Sequence, residues 1–506
     1  MPARTVGLSA PELQRRALRG AAWSTASILV GLPLAVAASV VVARTLGPRE
    51  FGRFAYLTFL VPLLYQTTDL GVGQATVRSA SRAFAVGSLG DTRDVIAKGA
   101  GWNLLRMPLV FGLILVVAHP SPLLTVVLTG FLVVNMGGAG FAFALSAENR
   151  GAVAARLAFI GGIAAGVASI TAALAGASGT TVWAAAWASS IVAFPVSVAV
   201  TNPDLRAAAF RPRLPRALPA GFWRFAVLSA AVSLLYALVF SRSEIVILNA
   251  FGDHQALAVF ALAYGLAQRL TLPVDTMLGP LVLAMSALDA AHPERLRPAF
   301  DRALRVASFG TAFVGAAALA GVALLAPYMY GSAYHGVGVV FAALAVVSLV
   351  QSAAQPYVAL AYAQARPGAA LRAYTAALVV DVAVTVALIP RIGVWGAVAG
   401  NAGGGIVAVA LLARAAAGRA SLRSAGVPAV KLAVVTSAAC CLAYAAGAAA
   451  GQVTPLLGVA VAVVVGAAAF LGGARGAISA GDASALSQVL PRRLARGARV
   501  VALLAR

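Results

Sequence analysis

Charged side chains are scarce in this sequence. Only 10% of its 506 residues are Asp, Glu, Lys or Arg, whereas 61% are hydrophobic. A soluble globular chain carries about 25% charged residues. The composition therefore excludes a soluble protein and indicates an integral membrane protein with nearly all of its mass in the bilayer.

Acidic residues are the rarer of the two charged classes. The chain has 15 Asp and Glu against 38 Lys and Arg, which gives a formal net charge of +23. In a soluble domain this excess would suggest nucleic-acid binding. Here the basic residues lie in short segments between apolar runs, which is typical of the cytoplasmic loops of membrane proteins. We therefore expect no nucleic-acid partner.

Cysteine and histidine, the usual soft metal ligands, are nearly absent. The two cysteines, Cys440 and Cys441, are adjacent within an apolar run, and the four histidines are far apart in sequence. No HExxH or CxxC spacing occurs, so the sequence offers neither a disulfide framework nor a metal site. We expect no cofactor.

Long apolar runs are abundant. A helix needs about 20 mostly apolar residues to cross the hydrocarbon core. Fourteen such runs occur, near residues 21–43, 54–77, 99–118, 122–145, 154–174, 180–200, 225–250, 256–285, 306–328, 336–363, 370–390, 393–413, 430–449 and 453–474. The predicted fold is therefore an all-α polytopic membrane protein with 14 transmembrane helices.

The basic residues also predict how the chain is oriented. With fourteen spans, most Lys and Arg fall on the side that holds the amino terminus, and only Arg44, Arg49, Arg53 and Arg391 fall in loops on the other side. Since cytoplasmic loops are enriched in Lys and Arg, we expect both termini to be cytoplasmic.

The sequence contains a weak internal repeat. LGPREFGRFAY (46–56) joins the first two spans, and FGDHQALAVFALAY (251–264) joins the seventh and eighth, about 205 residues later. A parallel six-span repeat predicts two six-helix lobes with a substrate cleft between them. The predicted segments are an interfacial segment, an N-lobe, a basic cytoplasmic linker, a C-lobe, two extra C-terminal helices and a basic amphipathic cytoplasmic tail, at 1–20, 21–200, 201–224, 225–413, 430–474 and 475–506.

A few ionisable residues lie inside the predicted spans, where a charge costs about 2.5–3.5 kcal/mol on insertion scales and usually marks function. They are Asp69, Arg106, Arg242, Glu244, Arg269, Asp275 and Asp381.

Three stretches carry a resemblance to a known family. VVARTLGPREFGRFAY, then TTDLGVGQATVR (67–78), and SRSEIVILNAFGDHQALAVFALAYGLAQRL (241–270) resemble the bacterial polysaccharide-exporter, or oligosaccharide flippase, family. Its superfamily, the multidrug/oligosaccharidyl-lipid/polysaccharide superfamily, also includes the lipid II flippase and multidrug-and-toxin extruders. Lipid II flippases place basic residues on the first span, whereas this first span has no charge before Arg44, which argues against lipid II as cargo.

The resemblance implies a function. The chain would flip lipid-linked oligosaccharide or polysaccharide repeat units by alternating access, from the cytoplasmic to the outer face of the bacterial inner membrane, for cell-surface polysaccharide biosynthesis. The substrate would be a polyprenyl-diphosphate-linked glycan. Membrane lipids and the glycosyltransferases and polymerase of the same pathway would be its partners.

The charges within the spans can be assigned roles in such transport. Arg242, Arg269 and Arg106 would bind the diphosphate in the cavity, because a guanidinium pairs with phosphate oxygens and stays charged. A structural ion pair, for example Arg242 with Glu244, or a snorkelling side chain is the alternative for each.

The acids within the spans have two interpretations. Asp69, Glu244, Asp275 and Asp381 would either bind a coupling proton or sodium ion or pair with the arginines.

Two other function classes compete with flipping. A cation-coupled exporter of drugs or other small molecules shares the two-lobe architecture. Such an exporter would not need arginines in its cavity, since acidic residues would bind cationic drugs better. A membrane enzyme would need an extracytoplasmic chamber with catalytic carboxylates or histidines, and every predicted outward loop is too short to build one. We therefore expect a transporter and not an enzyme.

Overall fold

The structure is a computed structural model that describes residues 10–85, 87–148, 150–239, 243–275, 293–353, 355–363, 367–417 and 422–476. Over these residues the chain is helical and forms no β-strand. It divides into two compact units, Met1–Ala237 (unit 1) and Leu238–Arg506 (unit 2).

The helices of unit 1 are α1 Ala10–Asp69, α2 Val72–Ala85, α3 Leu89–Ala118, α4 Pro122–Gly137, α5 Ala139–Ala147, α6 Gly151–Leu174, α7 Gly179–Ser189, α8 Ala193–Val200, α9 Pro203–Phe210 and α10 Phe222–Ala237. The helices of unit 2 are α11 Ser243–Ala250, α12 His254–Asp275, α13 Pro293–Tyr330, α14 Val337–Ala353, α15 Gln355–Ala363, α16 Pro367–Ile392, α17 Val394–Ala417, α18 Leu422–Gly451 and α19 Pro455–Gly473.

The prediction of an all-α polytopic membrane protein is confirmed. Ten helical segments of the described residues are long and apolar enough to cross a membrane, and they match the predicted spans three to six and nine to fourteen. The other four predicted spans have a different form. The first lies in the bent helix α1, and the second is divided between α1 and α2. The seventh is divided between α10 and α11, and the eighth runs past the end of α12 at Asp275.

The bend in α1 replaces the loop predicted between the first two spans. Gly47 has a φ of 70° within this helix of 60 residues, and Pro48 follows it. Glycine adopts positive φ without steric cost, and proline removes a backbone donor, so the helix changes direction without an intervening loop. The corresponding glycine of the internal repeat, Gly252, has a φ of 74° where α11 ends before α12. In both copies of the repeat, the chain therefore turns at a glycine with positive φ.

A second break separates α1 from α2. Leu70 and Gly71 both have positive φ, at 51° and 73°. Gly71 lies so close to α10 that a Cβ atom would be 2.0 Å from the carbonyl oxygen of Ala226. The positive φ values break the predicted second span, 54–77, at this point. The close contact with α10 leaves room only for glycine at position 71.

Each unit has its own apolar core. In unit 1 the core joins α1, α3, α4 and α7 through residues such as Leu57, Ile114, Leu128 and Trp183. In unit 2, α18 and α19 pack on α13, and the rings of Phe309 and Phe470 lie 5.3 Å apart. The two C-terminal helices outside the sequence repeat therefore share the core of unit 2.

Two glycine substitutions test the contact between α2 and α10. We expect Gly71→Ala to lower the melting temperature in detergent much more than Gly47→Ala does, as measured by differential scanning fluorimetry. A positive φ strains any side chain at both positions, and a Cβ at Gly47 would meet no atom within 4 Å. Only Gly71→Ala adds a steric clash. Equal shifts for both variants would contradict the close contact at Ala226.

Candidate functional site

Unit 1 contains a cavity of about 1240 Å³. Much of its wall is aromatic, with contributions from Phe54, Tyr65, Phe143, Trp183, Trp187, Phe194 and Phe225. The rings of Trp183 and Trp187 stack at 5.3 Å, and Phe131 supports Trp187 at 4.7 Å. Small-molecule sites measure about 300–1000 Å³ and are mostly apolar with a few polar groups. The cavity is large enough for a drug-sized ligand.

A small number of polar groups interrupt this apolar wall. The charged lining residues are Asp69, Arg78 and Arg106, and the amides are Gln66, Gln74, Asn103 and Asn135. Most of these groups contact other side chains of unit 1. Gln74 Nε2 donates to Ser233 Oγ at 3.2 Å, and the Tyr65 hydroxyl donates to Asn135 Oδ1 at 3.4 Å.

Arg106 on α3 is held by several acceptors at once. Its Nε and Nη2 donate to Asn103 Oδ1 at 3.0 and 2.6 Å. Its Nη1 donates to the Tyr65 carbonyl oxygen at 2.5 Å and to Thr68 Oγ1 at 2.9 Å. The guanidinium carbon lies 4.3 Å from the centre of the Tyr65 ring. With its side chain only 4% exposed, Arg106 has little donor capacity left for a ligand.

Asp69, the last residue of α1, completes this arrangement. Its Oδ1 lies 3.5 Å from Arg106 Nη2, its Oδ2 accepts from the backbone N–H of Gly73 at 2.9 Å, and its carbonyl oxygen accepts from Trp102 Nε1 at 3.1 Å. Arg106 and Asp69 therefore fasten the break between α1 and α2 to α3. This is the pairing that the sequence left open as an alternative to ligand or ion binding.

Arg78 on α2 differs from Arg106 in being exposed. Its guanidinium carbon lies 4.3 Å from the centre of the Phe225 ring, an arrangement that fixes the side chain without satisfying its N–H donors. Among the described residues it has no acidic partner within 4 Å. Arg78 also lines a neighbouring cavity of about 640 Å³. It is the basic side chain of the cavity that is open to a ligand.

The other predicted site residues fall in unit 2. Arg269 on α12 is half-buried and hydrogen-bonds to the side chain of Tyr330 at the end of α13. Arg242 lies outside the described residues. Asp275 ends α12, and its side chain also lies outside the described residues. The roles assigned to these three residues stay predictions.

Glu244 on α11 and Asp381 on α16 form a carboxyl pair in the interior of unit 2. Both side chains are fully buried. Ser243 Oγ lies 3.1 Å from Glu244 Oε2 and also hydrogen-bonds to Asp381 Oδ2. A serine hydroxyl carries one hydrogen and can donate to one of these oxygens at a time. The two carboxyl groups therefore share a single donor hydrogen from Ser243.

Neutral side chains complete the surroundings of the carboxyl pair. Asn401 Nδ2 donates to Glu244 Oε1 at 2.7 Å, and Thr385 Oγ1 lies 3.3 Å from Asp381 Oδ1. Asn401 Oδ1 is buried without a hydrogen-bond partner among the described residues. No basic side chain of the described residues forms an ion pair with either carboxyl group. The described side chains that contact the pair are thus neutral, and no counter-charge lies in this part of the chain.

The neutral residues of both sites were absent from the sequence prediction. Asn103 and Thr68 in unit 1, like Ser243 and Asn401 in unit 2, carry no charge, and neutral polar residues inside spans are too common to signal a site. A clue did exist for Asn401. It follows Gly400, the second glycine of a GxxxG spacing that predicts close helix packing, and a Cβ on Gly400 would lie 2.9 Å from Asp381 Oδ1.

Substitution of Arg106 tests whether the residue is structural. Arg106→Ala leaves Asn103 Oδ1 without its donor and the partly buried Asp69 carboxylate without its cation, and breaking a buried pair costs about 3–5 kcal/mol. We expect a large fall in melting temperature that Arg106→Ala/Asp69→Asn partly recovers. A variant Arg106→Ala with unchanged melting temperature but lost ligand binding would instead make Arg106 a ligand contact.

Comparison with known proteins shows which solved structures share this fold. No family model and no curated protein matches the chain. Among solved structures, the chain is similar to a multidrug resistance MATE family transporter of the MOP superfamily. Its inward-facing form matches at 17% identity, a TM-score of 0.55, and 79% of this chain against 98% of that one.

Two further structures give the same result. The outward-facing form of such a transporter matches at 16% identity and a TM-score of 0.57, over 80% of this chain and 96% of that one. A MOP superfamily transporter from Pyrococcus furiosus, for which a reverse polarity of the binding pocket suggests a different function, matches at 17% identity and a TM-score of 0.56, over 80% and 96%. The chain therefore has the fold of the MATE transporters of the MOP superfamily.

Proposed function

We propose that this chain is a secondary transporter that exports amphipathic small molecules and is driven by a monovalent cation, a proton or a sodium ion. The cavity of unit 1 would hold the exported molecule, and the carboxyl pair of unit 2 would hold the cation. The observation that carries the proposal is the pair itself. Glu244 and Asp381 are buried together around Ser243 and have no basic partner among the described residues.

A buried carboxyl pair of this kind takes up positive charge. Two neighbouring carboxylates in a low-dielectric interior repel each other, so at least one binds a proton or both bind a cation. The described atoms that contact the pair are the hydroxyl oxygens of Ser243 and Thr385 and the amide nitrogen of Asn401. The described residues contain no cluster of three or more His, Cys, Asp or Glu, so two carboxyl groups with neutral oxygen ligands suit a monovalent ion better than a divalent metal.

The cavity of unit 1 supports an amphipathic substrate. Its aromatic wall favours an apolar body, and its amides at Gln66, Gln74 and Asn135 can orient polar substituents. The charge of Arg106 is largely balanced by Asp69 at 3.5 Å. These features fit the exporter alternative better than a cavity built around arginines for a diphosphate, and the transporters of similar fold include proteins described as multidrug resistance transporters.

One observation favours a second candidate, the flipping of lipid-linked oligosaccharides. Arg78 offers an exposed guanidinium at the cavity, stacked on Phe225, with no acidic partner among the described residues. A guanidinium in this position suits a phosphate group. The glycan would then occupy the cavity, and its lipid would remain in the bilayer.

The carboxyl pair can be tested by isosteric neutralisation. We expect Glu244→Gln and Asp381→Asn each to reduce gradient-driven transport in proteoliposomes by about tenfold or more, since losing a buried hydrogen-bonded charge costs at least about 1.4 kcal/mol. Substrate binding in detergent should stay unchanged. Asp253→Asn is the matched control, because this exposed residue caps α12 through its Oδ1 and the amide oxygen preserves that contact. Full gradient-driven transport in both pair variants would refute cation coupling at this site.

Substitution of Arg78 distinguishes the two candidate functions. If the substrate is an uncharged or cationic amphipathic molecule, Arg78→Ala should leave its binding and export unchanged. If the substrate is a lipid diphosphate, Arg78→Ala should weaken binding by about tenfold or more, because a charge-assisted hydrogen bond is worth about 1.5–3 kcal/mol. Arg78→Lys, which keeps the charge, is the control. Binding of a fluorescent amphipathic dye and of a polyprenyl-diphosphate glycan, measured side by side, distinguishes the outcomes.

A further inference from the structure

The second cavity of unit 1, of about 640 Å³, has a more strongly charged wall than the larger one. It lies where the second half of α2, the beginning of α3 and the start of α10 meet. Its charged lining residues are Arg78, Arg82, Asp91 and Asp94. We call it the smaller cavity. The distribution of basic residues predicts that this end of unit 1 faces the cytoplasm.

Two arginines on α2 carry the positive charge of the smaller cavity. Arg78 and Arg82 are four residues apart, so they lie on the same face of the helix with Cβ atoms about 5–6 Å apart. Both are exposed, and neither forms an ion pair with a described residue. Like charges at this spacing repel each other and destabilise a helix. An anion bound between the two guanidinium groups would relieve this repulsion.

The two acids of the smaller cavity are already engaged by other side chains. Asp94 Oδ2 lies 2.5 Å from Lys98 Nζ, and its Oδ1 lies 3.4 Å from Arg213 Nη1. Asp91 Oδ2 accepts a hydrogen bond from Ser88 Oγ at 2.6 Å. With Lys98 and Arg213 included, four basic side chains stand against two acidic ones at this cavity. The excess of positive charge favours an anionic ligand.

The segment that leads into α10 supplies another part of the wall. Residues 217–222 line the smaller cavity, and Lys98 Nζ donates to the carbonyl oxygen of Ala217 at 2.9 Å, which holds this segment against α3. Phe225, on which Arg78 is stacked, also lines the cavity and directs that guanidinium toward it. Because α10 begins at Phe222, the partial positive charge of its amino-terminal end adds to that of the arginines.

A neighbouring tryptophan indicates the depth of the smaller cavity in the membrane. Trp223 follows Phe222 of the cavity wall, is 42% exposed, and packs edge-on against Trp102 at 5.7 Å. Tryptophan is enriched at the membrane–water interface, at the level of the lipid headgroups. Basic pockets between transmembrane helices on the cytoplasmic side are typical sites for anionic headgroups.

We propose that the smaller cavity binds a phosphate group through Arg82 and Arg78, and that an anionic phospholipid of the predicted cytoplasmic leaflet supplies this group. A guanidinium pairs its N–H donors with phosphate oxygens, and two guanidinium groups one helical turn apart converge on a single phosphate. The site goes beyond the proposed function and does not rest on it. Arg78 lines both cavities of unit 1, whereas Arg82 lines the smaller one and not the larger, so Arg82 is the residue to test.

Lipid titration tests the site. The full chain, freed of lipid in detergent, is titrated with phosphatidylglycerol or phosphatidylcholine, and bound lipid is counted by native mass spectrometry. We expect Arg82→Ala to weaken phosphatidylglycerol binding by about tenfold, because a charge-assisted hydrogen bond is lost. Arg82→Lys keeps the charge and should retain most of the binding. Phosphatidylcholine has no net charge and should bind weakly and equally to all variants.

Arg372→Ala is the matched control. Arg372 is exposed on α16, on the side predicted to face the cytoplasm, and lines neither cavity of unit 1. Its replacement removes the same charge and should leave phosphatidylglycerol binding unchanged. Equal weakening in Arg82→Ala and Arg372→Ala would show a general attraction of anionic lipid to a basic protein and would overturn the site. Unchanged binding in both variants, with melting temperatures equal to that of the unaltered chain, would overturn it as well.

Inorganic phosphate distinguishes the source of the bound group. We expect it not to displace phosphatidylglycerol, since the lipid also has apolar chains to bury. If inorganic phosphate instead raises the melting temperature of the unaltered chain but not of Arg82→Ala, and phosphatidylglycerol binding is independent of Arg82, the phosphate site stands and the lipid source is overturned. Dye binding in the larger cavity should be the same in Arg82→Ala as in the unaltered chain, so failure of this site leaves the proposed function standing.

Discussion

The structure depends on one constraint, that a polar group inside a membrane-spanning helix bundle must find a partner in protein, water or a bound ion. The described residues meet it in two ways. Arg106 and Asp69 satisfy each other and their neighbours in unit 1. In unit 2, Glu244 and Asp381 both contact the Ser243 hydroxyl and have no basic partner among the described residues. The first arrangement is internally paired, and the second has no counter-charge among the described residues.

The two units therefore differ in how their buried polar groups are paired. In unit 1, pairing of the buried charges leaves a cavity whose character is set by aromatic side chains and amides, with Arg78 as its open cation. In unit 2, the Glu244–Asp381 pair lies within the core without a counter-charge among the described residues. The cavity of unit 1 and the carboxyl pair of unit 2 thus differ in chemistry.

Glycine provides the backbone geometry on which these sites rest. Gly47 and Gly252 turn the chain at matching points of the internal repeat. Gly71 allows α10 to pack against the break that follows Asp69, and Gly400 allows α17 to pack against Asp381. In each case a side chain would either strain the backbone or occupy the space of a neighbouring helix. The charged residues can therefore meet only because small residues permit the close approach.

The sequence by itself determined the class of protein, most of the spans and the short set of ionisable residues inside them. These follow from composition and from stretches of about 20 residues, which are local properties. It did not determine which role each charge has, because that depends on neighbours far away in the chain. Arg106 is satisfied by Tyr65 and Thr68 on α1, and Glu244 meets a carboxyl group and an amide on α16 and α17. Only the tertiary structure brings these groups within hydrogen-bond distance. It shows that Asp69 is paired with an arginine, whereas Glu244 lies beside another carboxyl group.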